Sequence, residues 1–210
     1  MACISDSMLR MTAAGARLRP MHEGGVLIGP ALTVKTRPGD NLVVHKALDL
    51  AEPGDVVVVD AGGDLTNAIV GALMVSHAVQ RRLAGIVING AVRDYDTIRA
   101  GRFPIYAAGV THRGPFKDGP GEINVSVAID GMVIAPGDLV VGDADGLVSI
   151  PYDEVETLLK AASAKQAAEE RDMRAIVSGI SDRKWVDERL VRLGCDLQAR
   201  PADRNASQRS

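Results

Sequence analysis

Aromatic residues and net charge are both scarce in this sequence of 210 residues. Phe, Trp and Tyr together make up 3% of the chain, which is too few for the stacking surfaces that bind single-stranded nucleic acid. The formal net charge of -3 also argues against a protein that neutralises a phosphate backbone. We therefore expect no nucleic-acid partner.

Cysteines and long apolar runs are scarce as well. Cys3 and Cys195 are the two cysteines, and a pair placed near opposite ends of the sequence predicts neither a disulfide framework nor a cluster of metal ligands. This usage favours a reducing, cytoplasmic setting. No apolar run approaches the roughly 20 residues of a membrane span. The amino-terminal residues also lack the basic and then apolar layout of a signal peptide. We expect a cytoplasmic protein with no membrane partner.

The first half of the chain alternates short apolar runs with turn signals. Four consecutive valines at residues 56–59 predict a strand that is covered on both faces. Residues 86–88 predict a second buried strand, and the helical periodicity of residues 65–83 places a helix between the two, with Asp64 or Thr66 as its N-cap. The other predicted elements are a strand over 26–36, interrupted at its Gly-Pro, and a helix over 41–51.

The second half predicts short strands and then helices. The strands are expected over residues 104–110, 123–129, 132–134, 139–141 and 147–150. A long helix is expected from Tyr152 to about Val177, with Gly179 as its stop and a further helix over 182–195. These elements predict a mixed α/β domain over residues 1–151, a helical extension over 152–197 and a disordered tail over 198–210. Because a helix that leaves its own core usually contacts another subunit, we expect a homo-oligomer.

The glycine-rich turn Asp60-Ala-Gly-Gly-Asp64 is a first candidate for chemistry. It follows a strand, as a nucleotide-binding turn does, but the G-x-G-x-x-G pattern is absent. A dinucleotide or S-adenosylmethionine site is therefore not expected. The glycines are instead expected to let the backbone approach another group closely.

Two interpretations of Gly71-Ala-Leu-Met74 are open. A helix that begins here would present free N–H groups, which attract an anion such as a substrate carboxylate. Alternatively, Gly71 is tolerated inside one long helix, and the sequence favours this second interpretation.

Arg93 and Asp94 form the most specific candidate, at the end of the segment NGAVRD. The planar fork of an arginine matches a carboxylate, and an aspartate is a hard oxygen ligand for Mg²⁺ or Mn²⁺. A surface ion pair worth about 0–1 kcal/mol explains the same two residues equally well. Lys117, by contrast, lies in a loop rich in glycine and proline, which is a poor place for the dry pocket that an imine-forming lysine requires.

Several stretches, in this order and spacing, resemble the RraA-like family. They are Gly54-Asp-Val-Val-Val-Val-Asp60, the Gly71 region, Gly85-Ile-Val-Ile-Asn-Gly-Ala-Val-Arg-Asp94, Gly109-Val-Thr-His-Arg-Gly-Pro115, Gly121-Glu-Ile-Asn-Val125 and Pro136-Gly-Asp-Leu-Val-Val-Gly-Asp143. The family includes 4-hydroxy-4-methyl-2-oxoglutarate aldolases, 4-carboxy-4-hydroxy-2-oxoadipate aldolases and a regulator of ribonuclease E.

The resemblance implies a single layered β/β/α domain of the swivelling type with C-terminal helices, assembled as a homotrimer or a dimer of trimers. It implies that Arg93 and the backbone of Gly71, Ala72, Leu73 and Met74 hold the carboxylate of a pyruvate moiety. It implies further that Asp94 holds Mg²⁺ or Mn²⁺. The implied function is a divalent-metal-dependent C–C lyase that acts on 2-oxo acids and releases pyruvate, with oxaloacetate decarboxylase activity.

One departure from the family pattern concerns the aldol step. The aldolases of the family carry an aspartate at the position of Ala72. Asp64, Glu122 or an acid from a neighbouring subunit is a possible substitute. Aldol cleavage needs a base for the substrate hydroxyl, whereas decarboxylation does not, so we expect decarboxylation to be retained better than aldol cleavage. The alternative hypothesis is a regulator without catalysis that binds a ribonuclease or another protein.

Overall fold

The computed structural model of the protein describes residues 1–8 and 15–197. The predicted disordered tail over 198–210 lies outside the described residues. The chain divides into two compact units, one over Met1–Lys165 and one from Gln166 onward. Within the described residues the cysteines form no disulfide, and none of the helices combines the length and the apolarity that a bilayer crossing requires.

Helices are interspersed with strands in the first half of the chain, whereas in the second half a run of strands precedes the last helices. The helices are α1 (Ala2–Ser7), α2 (Leu42–Leu50), α3 (Ala72–Gln80), α4 (Tyr95–Arg99), α5 (Val155–Val177) and α6 (Lys184–Arg192), with a 3₁₀ turn at Tyr152–Glu154. The strands are β1 (Arg19–Pro20), β2 (Leu27–Thr36), β3 (Val56–Asp60), β4 (Ala68–Val70), β5 (Gly85–Val92), β6 (Ile105–Val110), β7 (Gly121–Ile123), β8 (Val127–Ile129), β9 (Met132–Ile134), β10 (Leu139–Asp143) and β11 (Gly146–Ile150).

One mixed sheet of nine strands organises the described part of the first unit. Its main path runs β1-β6-β5-β3-β2-β10-β11, while β4 pairs with β5 and β7 pairs with β2. The pairs between β2, β3, β5 and β6 are parallel, and those that involve β1, β7, β10 and β11 are antiparallel. The strands β8 and β9 form a separate hairpin. The loops that follow the parallel strands therefore gather at one edge of the sheet.

The valine run shows why the sheet is buried on both faces. Val57 and Val59 face the helices, whereas Val56 and Val58 pack against the β8–β9 hairpin. All four side chains are fully buried. Hairpin, sheet and helices thus form three layers, which confirms the predicted β/β/α arrangement of the domain.

Polar contacts join the two ends of the sheet. The hydroxyl of Tyr106 on β6 donates to the Asp143 carbonyl at the end of β10, at 2.9 Å. The guanidinium of Arg19 on β1 donates to the carbonyls of Ala144 and Asp145 at 3.0 and 3.1 Å. These contacts nearly close the sheet. Burial and the nearby charge of Asp143 together raise the pKa of Tyr106 to about 12, so its hydroxyl remains a donor at physiological pH.

The helix predicted over 65–83 forms only in its second part, as α3, and the prediction is wrong for the residues before Gly71. Residues Ala68–Val70 form strand β4, which is entirely buried and pairs in parallel with β5, and α3 begins at Ala72. Asp64 and Thr66 are therefore not N-caps, and the interpretation of Gly71 as a residue inside a long helix is wrong as well. Gly71 is the N-cap of α3. Pairing with β5 overrides a helical periodicity that a short apolar run cannot establish by itself.

Two predicted strands also differ from the structure. The strand over 123–129 is broken at Asn124, which has φ +60° and separates β7 from β8. The Gly-Pro pair does not interrupt β2, which runs unbroken from Leu27 to Thr36. Gly29 is required there because a Cβ atom would lie 2.3 Å from the Gly54 carbonyl oxygen. The predicted helices over 41–51, 152–177 and 182–195 are confirmed by α2, α5 and α6.

Candidate active site

Two neighbouring parallel strands end at the centre of the candidate site. Strand β4 ends at Val70 and β5 at Val92, and the Arg93 N–H donates to the Val70 carbonyl at 3.0 Å. Gly71 and Asp94 then lead the chain into α3 and α4 respectively. Asp94 adopts the left-handed conformation, with φ 59° and ψ 39°. The segment NGAVRD is thus the end of a buried strand followed by two charged residues on a tight turn.

Gly71 leaves space that the two charged side chains occupy. A Cβ atom at this position would lie 2.6 Å from Asp94 Oδ2 and 3.0 Å from Arg93 Cγ. Such distances are below van der Waals contact, so any other residue would displace one of the two side chains. The glycine is therefore explained by close approach and not by its φ of −137°, which any residue adopts.

The carboxylate of Asp94 binds the amino terminus of α3. Its Oδ2 accepts the Ala72 N–H at 2.9 Å, while the Met74 N–H donates to the Gly71 carbonyl at 3.1 Å. Among the described residues no acceptor is bonded to the Leu73 N–H. The first turn of α3 therefore keeps one open donor beside Arg93, at the positive end of the helix dipole.

Arg93 and Asp94 form only a loose ion pair. Arg93 Nε lies 3.9 Å from Asp94 Oδ2, and the side chains are 40% and 44% exposed. A contact of this kind contributes about 0–1 kcal/mol. Asp94 has its short hydrogen bond with Ala72 instead, and the guanidinium of Arg93 extends toward Gly114, where a Cβ would lie 2.9 Å from Nη1. The two charges are thus held by different parts of the chain.

A cleft of about 80 Å³ lies in front of these groups. It is lined by five of the six residues predicted from sequence, namely Gly71, Leu73, Met74, Arg93 and Asp94. The sixth, Ala72, contributes its N–H to Asp94, and its side chain lines a separate groove between α3 and α4. Sequence reasoning missed three polar residues that also line the cleft, Asn41, His45 and Lys117.

Asn41 presents an unused acceptor. Its Nδ2 donates to the Ile69 carbonyl at 2.8 Å and to Met74 Sδ at 3.2 Å, which fixes the orientation of the amide. Its Oδ1 is buried and has no donor among the residues that the structure describes. A buried acceptor without a partner costs free energy unless a ligand or water satisfies it. Asn41 and His45 are four residues apart at the start of α2, so they lie on the same face of the helix. This spacing is the pattern in the sequence from which their common location could have been predicted.

His45 and Lys117 add charge and a titratable group to the cleft. His45 is exposed along part of its ring, yet burial of the remainder and the nearby positive charge of Lys117 lower its pKa below the usual 6.5. Asp49 opposes this shift and His77 adds to it. His45 is therefore predominantly neutral at pH 7 and able to accept a proton.

The comparisons with known proteins show the family of this chain. A family model described as RraA-like, Aldolase/RraA, matches residues 1–149. The chain belongs to the RraA-like family. It is 43% identical over 189 residues, 90% of each chain, to a protein of Halalkalibacterium halodurans named as a candidate 4-hydroxy-4-methyl-2-oxoglutarate aldolase. A Thermus thermophilus protein named 4-hydroxy-4-methyl-2-oxoglutarate aldolase is 35% identical over 112 residues, 53% of this chain and 68% of its own.

The family resemblance extends to solved structures. The RNA-processing inhibitor RraA from Thermus thermophilus superposes with a TM-score of 0.66 at 29% identity, over 71% of this chain and 91% of its own. The fold of this RraA-like chain is therefore shared by relatives named as aldolases and by one named as an inhibitor. The fold alone does not separate the two functions, and the site residues must do so.

The acids considered as substitutes for the family aspartate lie elsewhere. Asp64 accepts the Thr66 N–H in the turn before β4, and Glu122 on β7 lines a different groove beside Lys35. Neither lines the cleft. In the described part of the chain no group of three or more His, Cys, Asp or Glu residues is placed to hold a metal ion. Among the residues that the structure describes, Asp94 is thus the one carboxylate that lines this RraA-like cleft.

The Asp60–Asp64 turn serves a structural purpose in this chain. Asp60 Oδ1 accepts the Gly62 N–H at 3.0 Å and Asn89 Nδ2 at 2.8 Å. A Cβ at Gly63 would lie 2.7 Å from Arg17 Nη1. The expectation that these glycines admit a close approach is confirmed. Arg17 approaches Gly63, and Pro38 approaches Gly62, where a Cβ would lie 3.0 Å from Pro38 Cγ.

Proposed function

We propose that this protein is a divalent-metal-dependent lyase that cleaves a C–C bond of a 2-oxo acid and releases pyruvate. The substrate type is that of a 4-hydroxy-4-methyl-2-oxoglutarate aldolase, with oxaloacetate decarboxylation as a second reaction. The observation that supports this proposal is the convergence of Arg93, Asp94 and the open Leu73 N–H on one cleft. Relatives named as aldolases support the same class of reaction.

The carboxylate next to the 2-oxo group fits between Arg93 and the start of α3. The Arg93 guanidinium offers two parallel N–H donors, which match a carboxylate in bidentate fashion. The Leu73 N–H and the dipole of α3 add a second source of positive potential from the other side. Together they hold the reacting end of the substrate in one orientation, which lowers the entropic part of the reaction barrier.

The residues of the site fit a divalent ion that is held by one carboxylate. Asp94 Oδ2 is engaged by Ala72, whereas Oδ1 accepts no hydrogen bond from the described residues and remains available. Mg²⁺ commonly binds through one or two carboxylates and completes its shell with water and substrate oxygens. When bound there, the ion would stabilise the negative charge that develops on the 2-oxo group as the C–C bond breaks.

The far wall of the cleft accounts for the rest of the substrate. Lys117 provides a positive charge for a distal carboxylate, and Asn41 Oδ1 provides an acceptor. We assign the removal of the proton of the substrate hydroxyl to neutral His45, because His45 lines the cleft and neither Asp64 nor Glu122 does. Decarboxylation of oxaloacetate requires no such proton transfer, so it is expected to be the more robust of the two reactions.

Pyruvate release tests this proposal directly. Purified protein is assayed with oxaloacetate and with 4-hydroxy-4-methyl-2-oxoglutarate, in Mg²⁺, in Mn²⁺ and in EDTA. Activity is expected with metal and lost with EDTA, and Arg93→Ala is expected to lose roughly 100-fold or more in kcat/KM. Arg99→Ala, on the exposed side of α4, is the matched control and should retain activity. Release that is unaffected by EDTA, or by Arg93→Ala, would contradict the proposal.

The second candidate function is a regulator that binds a ribonuclease without catalysis, which the likeness to an RNA-processing inhibitor favours. Asp94→Ala separates the two functions, because the proposed lyase needs this carboxylate as a metal ligand, whereas a regulator without catalysis needs no metal at this position. A folded protein that releases no pyruvate from either substrate, yet inhibits a ribonuclease equally well before and after Asp94→Ala, would establish the regulator.

A further inference from the structure

A fully buried carboxylate, Asp40, lies behind the wall of the cleft that carries Lys117. None of its side chain is exposed. Oδ1 accepts the Leu42 N–H at 2.9 Å, at the first residue of α2. Oδ2 accepts the N–H groups of Asp118 and Gly119 at 2.9 and 2.8 Å, in the loop that follows β6. One carboxylate therefore ties the start of a helix to a loop about 78 residues away in sequence.

Backbone bonds complete this junction on the other side of Lys117. The Phe116 N–H donates to the Gly39 carbonyl at 2.8 Å, and the Asn41 N–H donates to the Phe116 carbonyl at 3.1 Å. Lys117 is thus the one residue between two anchored neighbours, Phe116 and Asp118. Its backbone position relative to Asn41 is fixed even though its side chain is exposed.

The charge of Asp40 strengthens this junction. Burial by itself raises the pKa of the carboxyl, but the three backbone donors and the nearby Arg37 outweigh it, and the pKa lies below its usual value. Arg37 Nη2 lies 3.2 Å from Asp40 Oδ2, and its guanidinium covers the Phe116 ring at 5.8 Å. Hydrogen bonds to an ionised acceptor are roughly twice as strong as those between neutral groups. A neutral amide in this place would also turn an N–H toward at least one donor.

We propose that Asp40 is a positioning residue, which holds Lys117 at the distance from Asn41 and His45 at which the distal carboxylate of a dicarboxylic 2-oxo acid binds. The inference rests on the proposed function, because it takes Lys117 as the partner of that carboxylate. Asp40 itself is sealed from the cleft by its own hydrogen bonds and acts through Lys117. The loop from Phe116 to Gly119 is then a specificity element, and Asp40 is the group that sets its position.

Calorimetric titration with two ligands tests the inference. 2-Oxoglutarate carries a distal carboxylate and lacks the 4-hydroxyl, so it binds without cleavage, while pyruvate lacks the distal group altogether. In the presence of Mg²⁺, Asp40→Asn and Lys117→Ala are each expected to raise the Kd for 2-oxoglutarate on the order of tenfold, the loss of one charge-assisted contact. Both variants should leave the Kd for pyruvate within about twofold, because the Arg93 end of the cleft is untouched.

The double variant distinguishes positioning from a general loss of stability. If Asp40 acts through Lys117, then Asp40→Asn should add no further weakening to Lys117→Ala. Additive increases in the Kd for 2-oxoglutarate, or an equal increase in the Kd for pyruvate, would overturn the inference. Asp138→Asn is the matched control. Asp138 Oδ2 accepts the Ala135 N–H at 2.8 Å and the Ser149 hydroxyl at 3.2 Å away from the cleft, so its loss should lower Tm without changing either Kd.

A second variant covers the case in which Asp40→Asn does not fold. Arg37→Gln removes the half-exposed partner that Asp40 shares with Asp118 of the same loop, and it should raise the Kd for 2-oxoglutarate by a smaller factor. No change in Arg37→Gln would then count against the inference. If the wild-type protein binds 2-oxoglutarate but releases no pyruvate from 4-hydroxy-4-methyl-2-oxoglutarate, the proposed lyase activity is refuted while the proposed role of Asp40 stands. Wild-type protein that binds neither ligand would refute both proposals.

Discussion

Asp94 accepts the Ala72 N–H at 2.9 Å across 22 residues of sequence. This bond ties the turn after β5 to the first residue of α3. It gives Asp94 a defined orientation, in which Oδ2 binds the helix terminus and Oδ1 accepts no hydrogen bond from the described residues. Because the turn and the helix follow two paired strands, the bond couples the geometry of the site directly to the sheet.

Replacement of Gly71 by alanine is expected to damage the site more than the fold. The added Cβ would lie 2.6 Å from Asp94 Oδ2 and must displace that carboxylate. We expect kcat/KM for pyruvate release to fall by roughly 100-fold, the usual effect of a displacement of about 1 Å at a site. Gly101→Ala is the control, since its Cβ would meet no atom closer than 3.3 Å. Equal values of kcat/KM in the two variants would show that the Asp94 carboxylate can be displaced without loss of activity.

Asp94→Asn separates the charge of Asp94 from its shape. Asparagine tolerates the left-handed conformation and still offers an oxygen to the Ala72 N–H, so the fold should persist. The loss of the anionic ligand should lower pyruvate release on the order of 100-fold or more and abolish its dependence on metal concentration. Tm measured in parallel should change by only a few degrees. Retained, metal-dependent activity would show that Asp94 is not the ligand.

Ala72→Asp introduces the carboxylate that the resemblance to the family's aldolases implies at this position. We expect the ratio of aldol cleavage to oxaloacetate decarboxylation to stay within about twofold, because the side chain at position 72 lines the groove between α3 and α4 and not the cleft. A rise of about 10-fold in that ratio would show that the added carboxylate reaches the cleft and serves as the base for the substrate hydroxyl. Ala72→Asn is the control for volume and polarity. Changes of equal size in both reactions would argue that position 72 affects binding and not proton transfer.

The pH profile of aldol cleavage reports on His45. The pKa of His45 lies below the usual 6.5, and the neutral ring that accepts a proton prevails above that pKa. The rate of aldol cleavage should therefore fall as the pH drops through the pKa of His45, which sets the midpoint of the profile. Lys117→Gln removes a positive charge that favours the neutral ring, so the midpoint should move upward. Asp49→Asn removes a charge that favours the protonated ring and should move it downward.

His77→Ala provides the remaining arm of this experiment. His77 lowers the pKa of His45 and hydrogen-bonds Asp49 at 3.1 Å, so its removal should shift the midpoint only slightly. The rate of oxaloacetate decarboxylation should show no such midpoint in any variant. A shared midpoint for both reactions would assign the titration to substrate binding and not to His45.

The sequence alone determined the parts of this protein that depend on local pattern. Four adjacent valines predict a strand covered on both faces, and the structure buries Val56 and Val57 on opposite sides of one sheet. The apolar run before Arg93 places that residue at a strand end. Patterns of this kind are informative because a strand buried on both faces is composed mostly of apolar residues.

The tertiary structure decided which distant groups share the cleft. Helical periodicity over 65–83 concealed β4, since only pairing with β5 shows that Ala68–Val70 is a strand. Asn41 and Lys117 lie far from Arg93 in sequence, and the parallel order of the sheet brings their loops to the same edge. The position of Lys117 depends on a buried carboxylate, Asp40, that no local pattern distinguishes from a turn residue. Such long-range hydrogen bonds leave no periodic trace in the sequence, so the site becomes visible only in the folded chain.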